Sequence, residues 1–168
     1  MKNFILSQRF FMLFLFILST AVLIVNFTLE HGFQMFPCQM CILERYPYSA
    51  LLILSMISYF FPLHKIAPLV QAGIILTLLT SLGLSFYHVG LEYHFFNLPH
   101  FCGGGDPGHF ENVEALKAYL SEQTQIVRCD IVLLKVLGHS LAEWNFFLSA
   151  ALLGLTAYFI KNKKHDAA

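Results

Sequence analysis

Two cysteines spaced as C-x-x-C, Cys38 and Cys41, stand in the string Pro37-Cys38-Gln39-Met40-Cys41-Ile42-Leu43-Glu44-Arg45, just ahead of an apolar run. Such a pair is the usual unit of dithiol/disulfide exchange, which runs through a thiolate of lowered pKa. Cys102 and Cys129 fall far downstream, in the longest polar stretch. On a helix beginning near Cys41, Arg45 projects from the same face one turn further along. A thiolate at that helix N-terminus gains from the unpaired amides and the dipole. Arg45 can stabilise it, or donate hydrogen bonds to a carbonyl oxygen bound nearby. The simpler role for Arg45 is an interfacial anchor, with Glu44 as its obvious ion-pair partner.

Other chemistries fit these residues less well. A structural zinc site needs four ligands, with a second pair close by; Cys102 and Cys129 do not repeat the C-x-x-C spacing, so no metal is expected. A purely structural Cys38–Cys41 disulfide gains little, because its loop is so short. Paired with each other, Cys102 and Cys129 would stabilise the fold by roughly 3 kcal/mol in the chain-entropy account. That makes a staple as good a reading as a redox role. The glycines at 103–105 and 108 tilt the balance, since they predict a mobile, accessible Cys102, and labile disulfides are exposed ones. His88, His94, His100 and His109 follow no metal-site spacing. His88, next to Tyr87 where an apolar run ends, is a candidate donor to a polar head group at the depth of Arg45.

The elements that position these residues are membrane spans. The chain has 168 residues, 57% hydrophobic and only 12% charged, about half the charge of a soluble domain. Its net charge of zero argues against nucleic acid, which needs a basic surface. Four apolar runs, at about 10–29, 43–61, 69–87 and 144–160, predict four transmembrane helices in one integral membrane domain over 1–168. The outer loops are then about 30–42 and 88–143. The first run is too long for a signal peptide and no A-x-A-like site follows it. Lys2, Arg9, Lys65, Lys161, Lys163 and Lys164 flank the spans at one end. The positive-inside rule therefore places both termini in the cytoplasm. All four cysteines then face the opposite, oxidising side, where disulfides persist. Beyond the glycine-rich turn, Val113, Leu116, Tyr119 and Leu120 recur at helical spacing and predict a short amphipathic helix.

Taken together, these residues resemble the DsbB family of membrane thiol:quinone oxidoreductases. The resemblance rests on Pro37-Cys38-x-x-Cys41-x-x-Glu44-Arg45, Tyr87-His88-x-Gly90-x-Glu92, Cys102, Cys129-Asp130, Gly138-x-Ser140 and Trp144-Asn145. It covers nearly the whole chain. It implies an all-α four-transmembrane-helix bundle in the bacterial inner membrane, with redox loops on the periplasmic side. It also implies a relay: a DsbA-like thioredoxin-fold dithiol attacks the Cys102–Cys129 disulfide at Cys102. Electrons then pass to Cys38–Cys41, and from Cys41 to ubiquinone or menaquinone held beside Arg45 and His88. The Gly103–Gly105 run departs from the best-known members, which leaves room for a dedicated partner. Two alternatives remain. A vitamin K epoxide reductase-like quinone reductase would carry its active C-x-x-C near the last spans. A non-enzymatic scaffold with a stapled outer loop would have disulfides that resist mild reductant and no bound quinone.

Overall fold

The computed structural model describes residues 2–60, 67–103, 113–114, 117 and 127–165. The expected amphipathic helix lies largely outside them. The helices that build the site are α1 (Lys2–Gly32), α2 (Gln39–Leu43), α3 (Arg45–Phe60), α4 (Ala67–Glu92) and α5 (Leu141–His165). Pro47 explains the joint between α2 and α3. It has no N–H for the Leu43 carbonyl, so the ladder is interrupted at Glu44, which keeps a helical φ/ψ of −67°/−18°. The two pieces therefore continue as one segment, Gln39–Phe60.

That segment and Arg9–Gly32, Pro68–Glu92 and Leu141–Lys161 are long and apolar enough to cross a membrane, at 21 to 25 residues each. At about 1.5 Å per residue they reach roughly 32–38 Å, beyond a hydrocarbon core of about 30 Å. The excess carries polar residues. His88 and Glu92 lie in the last turns of α4 rather than in a loop after residue 87.

The helices pack in chain order, α1 on α3, α3 on α4 and α4 on α5. Phe11 and Phe159, with ring centroids 4.4 Å apart, join the first part of α1 to the last part of α5. All four spans feed one core of Phe11, Met12, Leu15, Tyr48, Leu51, Ile74, Leu78 and Leu152. Phe10, Phe14, Ile17, Ile24, Leu69 and Leu76 point outward, as a lipid-facing surface requires. Lipid gives no hydrophobic drive for helix association, so small residues and interhelical hydrogen bonds carry more of it. Buried Ser81 and Ser149, with hydroxyls 2.8 Å apart, bridge α4 and α5 in this way.

At the other end, a small hairpin is the strand found among the described residues. β1 (Lys135–Val136) pairs antiparallel with β2 (His139–Ser140). Leu137 and Gly138 turn between them with φ of 54° and 87°, the doubly positive pattern of a type I′ turn. Ser140 then caps α5 reciprocally: its hydroxyl accepts from Glu143 N–H at 3.1 Å, and its own N–H donates to Glu143 Oε2 at 2.8 Å. This capping box satisfies two amides that the helix start would leave unpaired. The same hydroxyl donates to Glu92 Oε2 at 2.5 Å, and Tyr93 donates to Glu143 Oε1 at 2.7 Å. The ends of α4 and α5 are thereby tied together.

Gly90 sets the path of the chain leaving α4. Its carbonyl accepts from the N–H groups of Phe95 and Phe96, and a Cβ on it would clash with the Phe96 ring. That ring stacks on Tyr87 with centroids 5.2 Å apart. Gly90→Ala should therefore destabilise the detergent-solubilised protein by about 1–3 kcal/mol, the usual cost of overpacking. Adding Phe96→Ala should recover part of that loss, because the two changes share one contact. Thermal unfolding of the single and double variants checks this; strictly additive losses would show that the clash is not the cause.

Candidate redox site

Cys38 is the N-cap of α2, one residue ahead of its first turn. The sequence expectation put the helix start near Cys41; it begins at Gln39 instead, so Cys38 occupies the cap and Cys41 the first turn. The Cys41 backbone N–H donates to Cys38 Sγ at 3.2 Å, and the two sulfurs, present as free thiols, are 2.7 Å apart. The Cys41 side chain, foremost, holds Cys38 below the ordinary thiol range, helped by the backbone N–H groups of Cys41 and Met40. Burial and the nearby Glu44 carboxylate act in the opposite direction.

Glu44 and Arg45 turn to different helices, because adjacent helical residues do not share a face. Glu44 was the partner expected for Arg45. The structure pairs Arg45 with Glu30 of α1 instead, Nη1 donating to Oε2 at 2.5 Å. Arg45 also sits over the Phe27 ring, 5.3 Å from its centroid, a cation–π geometry. Glu44 faces α4, where its Oε1 is 3.0 Å from His88 Nδ1. The other ring nitrogen, Nε2, is 3.6 Å from Cys38 Sγ. His88 is only 4% exposed, so the pair is largely shielded from water.

A cavity of about 360 Å³ is lined by α1 and α5, with α2, α3 and α4 contributing polar groups. Val22, Val25, Leu29, Trp144 and Leu148 form apolar walls, while Cys41, Glu44, Arg45, Tyr48, His88 and Asn145 supply the polar groups. Tyr48 donates to Asn145 Oδ1 across the floor. Among the described residues, Arg45 Nε is the buried side-chain donor left without a partner. A mostly apolar recess with a few convergent polar groups is the usual form of a small-molecule site.

Cys102 and Cys129 form a disulfide, S–S 2.08 Å. The expectation of an accessible Cys102 is not met: the residue is 0% exposed. It closes a short 3-10 turn, His100–Cys102, that packs on α2. Gly103, with φ of 81°, ends that turn. The disulfide shares an apolar cluster with Cys38, Met40 and Leu91, against which Cys41, Tyr87 and Leu98 pack. Six residues singled out from the sequence, Cys38, Cys41, Arg45, His88, Cys102 and Cys129, thus gather at one end of the bundle. Glu30, Tyr48 and Asn145 were not foreseen. The one signal for Glu30 was its place as the first charge after a 20-residue uncharged run.

The architecture and site define a four-span membrane protein whose dithiol borders a cavity within the bundle and whose disulfide packs beside it. The chain belongs to the DsbB family: the sequence model described as Disulfide bond formation protein DsbB matches residues 8–159. It is also similar to an uncharacterized protein of Rickettsia prowazekii (strain Madrid E), 27% identical over 169 residues that cover 96% of each chain. Family membership makes it a membrane oxidoreductase of the disulfide-forming class.

The lowered Cys38 pKa has a measurable consequence. With Cys102 and Cys129 replaced by serine, alkylation of the reduced protein should show a thiol ionising below the ordinary thiol range. Cys41→Ala in that background removes the largest stabilising contact, so the midpoint should move to higher pH. An unmoved midpoint would show that the cap amides alone set it.

Proposed function

We propose that this protein reoxidises a periplasmic, DsbA-like thioredoxin-fold dithiol and passes the electrons through its two cysteine pairs to a membrane quinone, ubiquinone or menaquinone. The observation that carries the reading is that Cys41, Arg45 and His88 line one apolar cavity between helices. The residues fit a quinone: the recess is wide and apolar enough for a substituted ring, and Arg45 brings a buried donor with no partner of its own. When bound, the quinone supplies the acceptor for two electrons and two protons and leaves as quinol.

The protein's own residues divide the work. Both termini face the cytoplasm by the distribution of lysine and arginine, which sets all four cysteines on the periplasmic side of the inner membrane. The partner's thiolate attacks the Cys102–Cys129 disulfide at Cys102, forming one S–S bond and releasing Cys129 as a thiolate. The partner's second thiol resolves that mixed disulfide, leaving the partner oxidised and both loop cysteines reduced. Their exchange with Cys38–Cys41 restores the Cys102–Cys129 bond and leaves Cys38 and Cys41 reduced. Cys38 is the natural point of attack, because it shares a cluster with both loop sulfurs. Cys41 faces the cavity, and re-forming its bond to Cys38 gives up the two electrons and two protons. Glu30 holds Arg45 at the cavity wall, and Glu44 holds His88.

Cys41→Ser should abolish quinone-dependent oxidation of a reduced thioredoxin-fold substrate by the purified protein. Arg45→Ala should raise the quinone KM by about tenfold or more, the value of a lost hydrogen bond from a charged group. Normal turnover of Cys41→Ser would sink the reading. The burial of Cys102 favours one other reading, a loop stapled for stability alone; mild reductant that leaves Cys102–Cys129 intact, with no quinone in an organic extract, would establish it. Topology is checked separately with an impermeant thiol reagent on sealed vesicles, which should label all four reduced cysteines from the periplasmic face.

A further inference from the structure

Cys38 Sγ, Cys41 Sγ and His88 Nε2 all lie within 4.8 Å of one another. We infer that, when Cys38 and Cys41 are reduced, these three atoms form a binding site for a thiophilic d10 metal ion, with Zn2+ as the type. By spacing alone the C-x-x-C lacks further ligands and no metal is expected; the third donor that the fold supplies is His88, fifty positions from Cys38. Zinc bonds of about 2.3 Å to sulfur and 2.0–2.1 Å to nitrogen, set tetrahedrally, require S–N separations of roughly 3.5 Å and an S–S separation of roughly 3.8 Å. The Cys38–His88 distance of 3.6 Å already matches. The sulfurs, at 2.7 Å, need to part by about 1 Å, within reach of a rotation about one cysteine Cα–Cβ bond.

The surroundings favour the ion. His88 turns Nδ1 to the Glu44 carboxylate at 3.0 Å, so the neutral ring presents the Nε2 lone pair to the sulfurs. That carboxylate–histidine–metal arrangement fixes tautomer and orientation in known zinc sites. Two cysteine thiols and Zn2+ give a neutral bis-thiolate and two released protons, with no change of oxidation state. A neutral set suits a shielded place where two bare thiolates are costly. Cys41 and His88 border the cavity, which leaves the fourth position open to water or a small ligand. With both sulfurs ligated, the Cys38–Cys41 bond cannot re-form, so the ion holds the protein in its reduced state. The inference requires only a reduced dithiol and stands whether or not a quinone is the electron acceptor.

The test uses the full chain in detergent, reduced anaerobically, with Cys102→Ser/Cys129→Ser alongside wild type to remove the loop thiols. Zn2+ is titrated against a chromogenic chelator, and Co2+ is added separately to read sulfur-to-metal charge-transfer bands. One ion per chain is expected in both proteins, and none at this site when Cys38–Cys41 is oxidised. Cys38→Ser and Cys41→Ser should each abolish the Co2+–thiolate bands or reduce them to a single-sulfur spectrum. His88→Gln should weaken Zn2+ at least tenfold, and Glu44→Gln by about tenfold to a hundredfold, with thermal unfolding confirming that each variant is folded. Equal affinity in a folded His88→Gln protein, or no binding at micromolar free Zn2+, would overturn the inference.

Discussion

Charged groups near lipid must be paired, and in this protein that requirement is met by two adjacent residues facing opposite ways. Glu44 and Arg45 stand at the joint where Pro47 interrupts the helical ladder. Glu44 reaches His88 on α4 and Arg45 reaches Glu30 on α1. Removing either partner would leave a desolvated group uncompensated, a cost well above the value of an exposed ion pair. These two pairs link three helices and fix the ring and guanidinium that border the cavity.

The cysteines are arranged around that joint with a division of surroundings. Cys38, at the helix cap, lies in the cluster that holds the Cys102–Cys129 disulfide. Cys41, one turn on, borders the cavity. A single short helix thus presents one sulfur to the loop and one to the interior of the bundle. The wall on the other side belongs to α5, whose start is set by the Ser140–Glu143 capping box and by the link from Ser140 to Glu92. The hairpin and the cavity wall therefore meet where the end of α4 is bonded to the start of α5.

Burial of the Cys102–Cys129 disulfide changes how its reactivity must be understood. Glycines next to a cysteine promise access only while the cysteine itself is loose. Here the 3-10 turn and its contact with α2 hold Cys102 inside, and Gly103 ends that turn as its left-handed cap. On the proposed relay, attack by a partner would require local opening of this turn, as loops can undergo. The same burial brings the loop sulfurs into the cluster with Cys38 without any such motion.

Much of the architecture was legible in the chain itself. Long uncharged runs can satisfy their backbone in lipid only as helices, so their number and approximate place follow from composition. The C-x-x-C pair and Arg45 were legible for a similar reason, since their spacing on one short segment is a local matter. What the chain could not reveal was partnership across helices. Glu44 beside Arg45 looked like its counter-ion, and only the packing of α1 and α4 against that joint showed that each goes to a different helix. His88 near two sulfurs, Tyr48 on Asn145 and the hidden Cys102 have the same origin. They join residues from about fifty to a hundred positions apart, where neither propensity nor periodicity carries information, and side-chain contact alone decides.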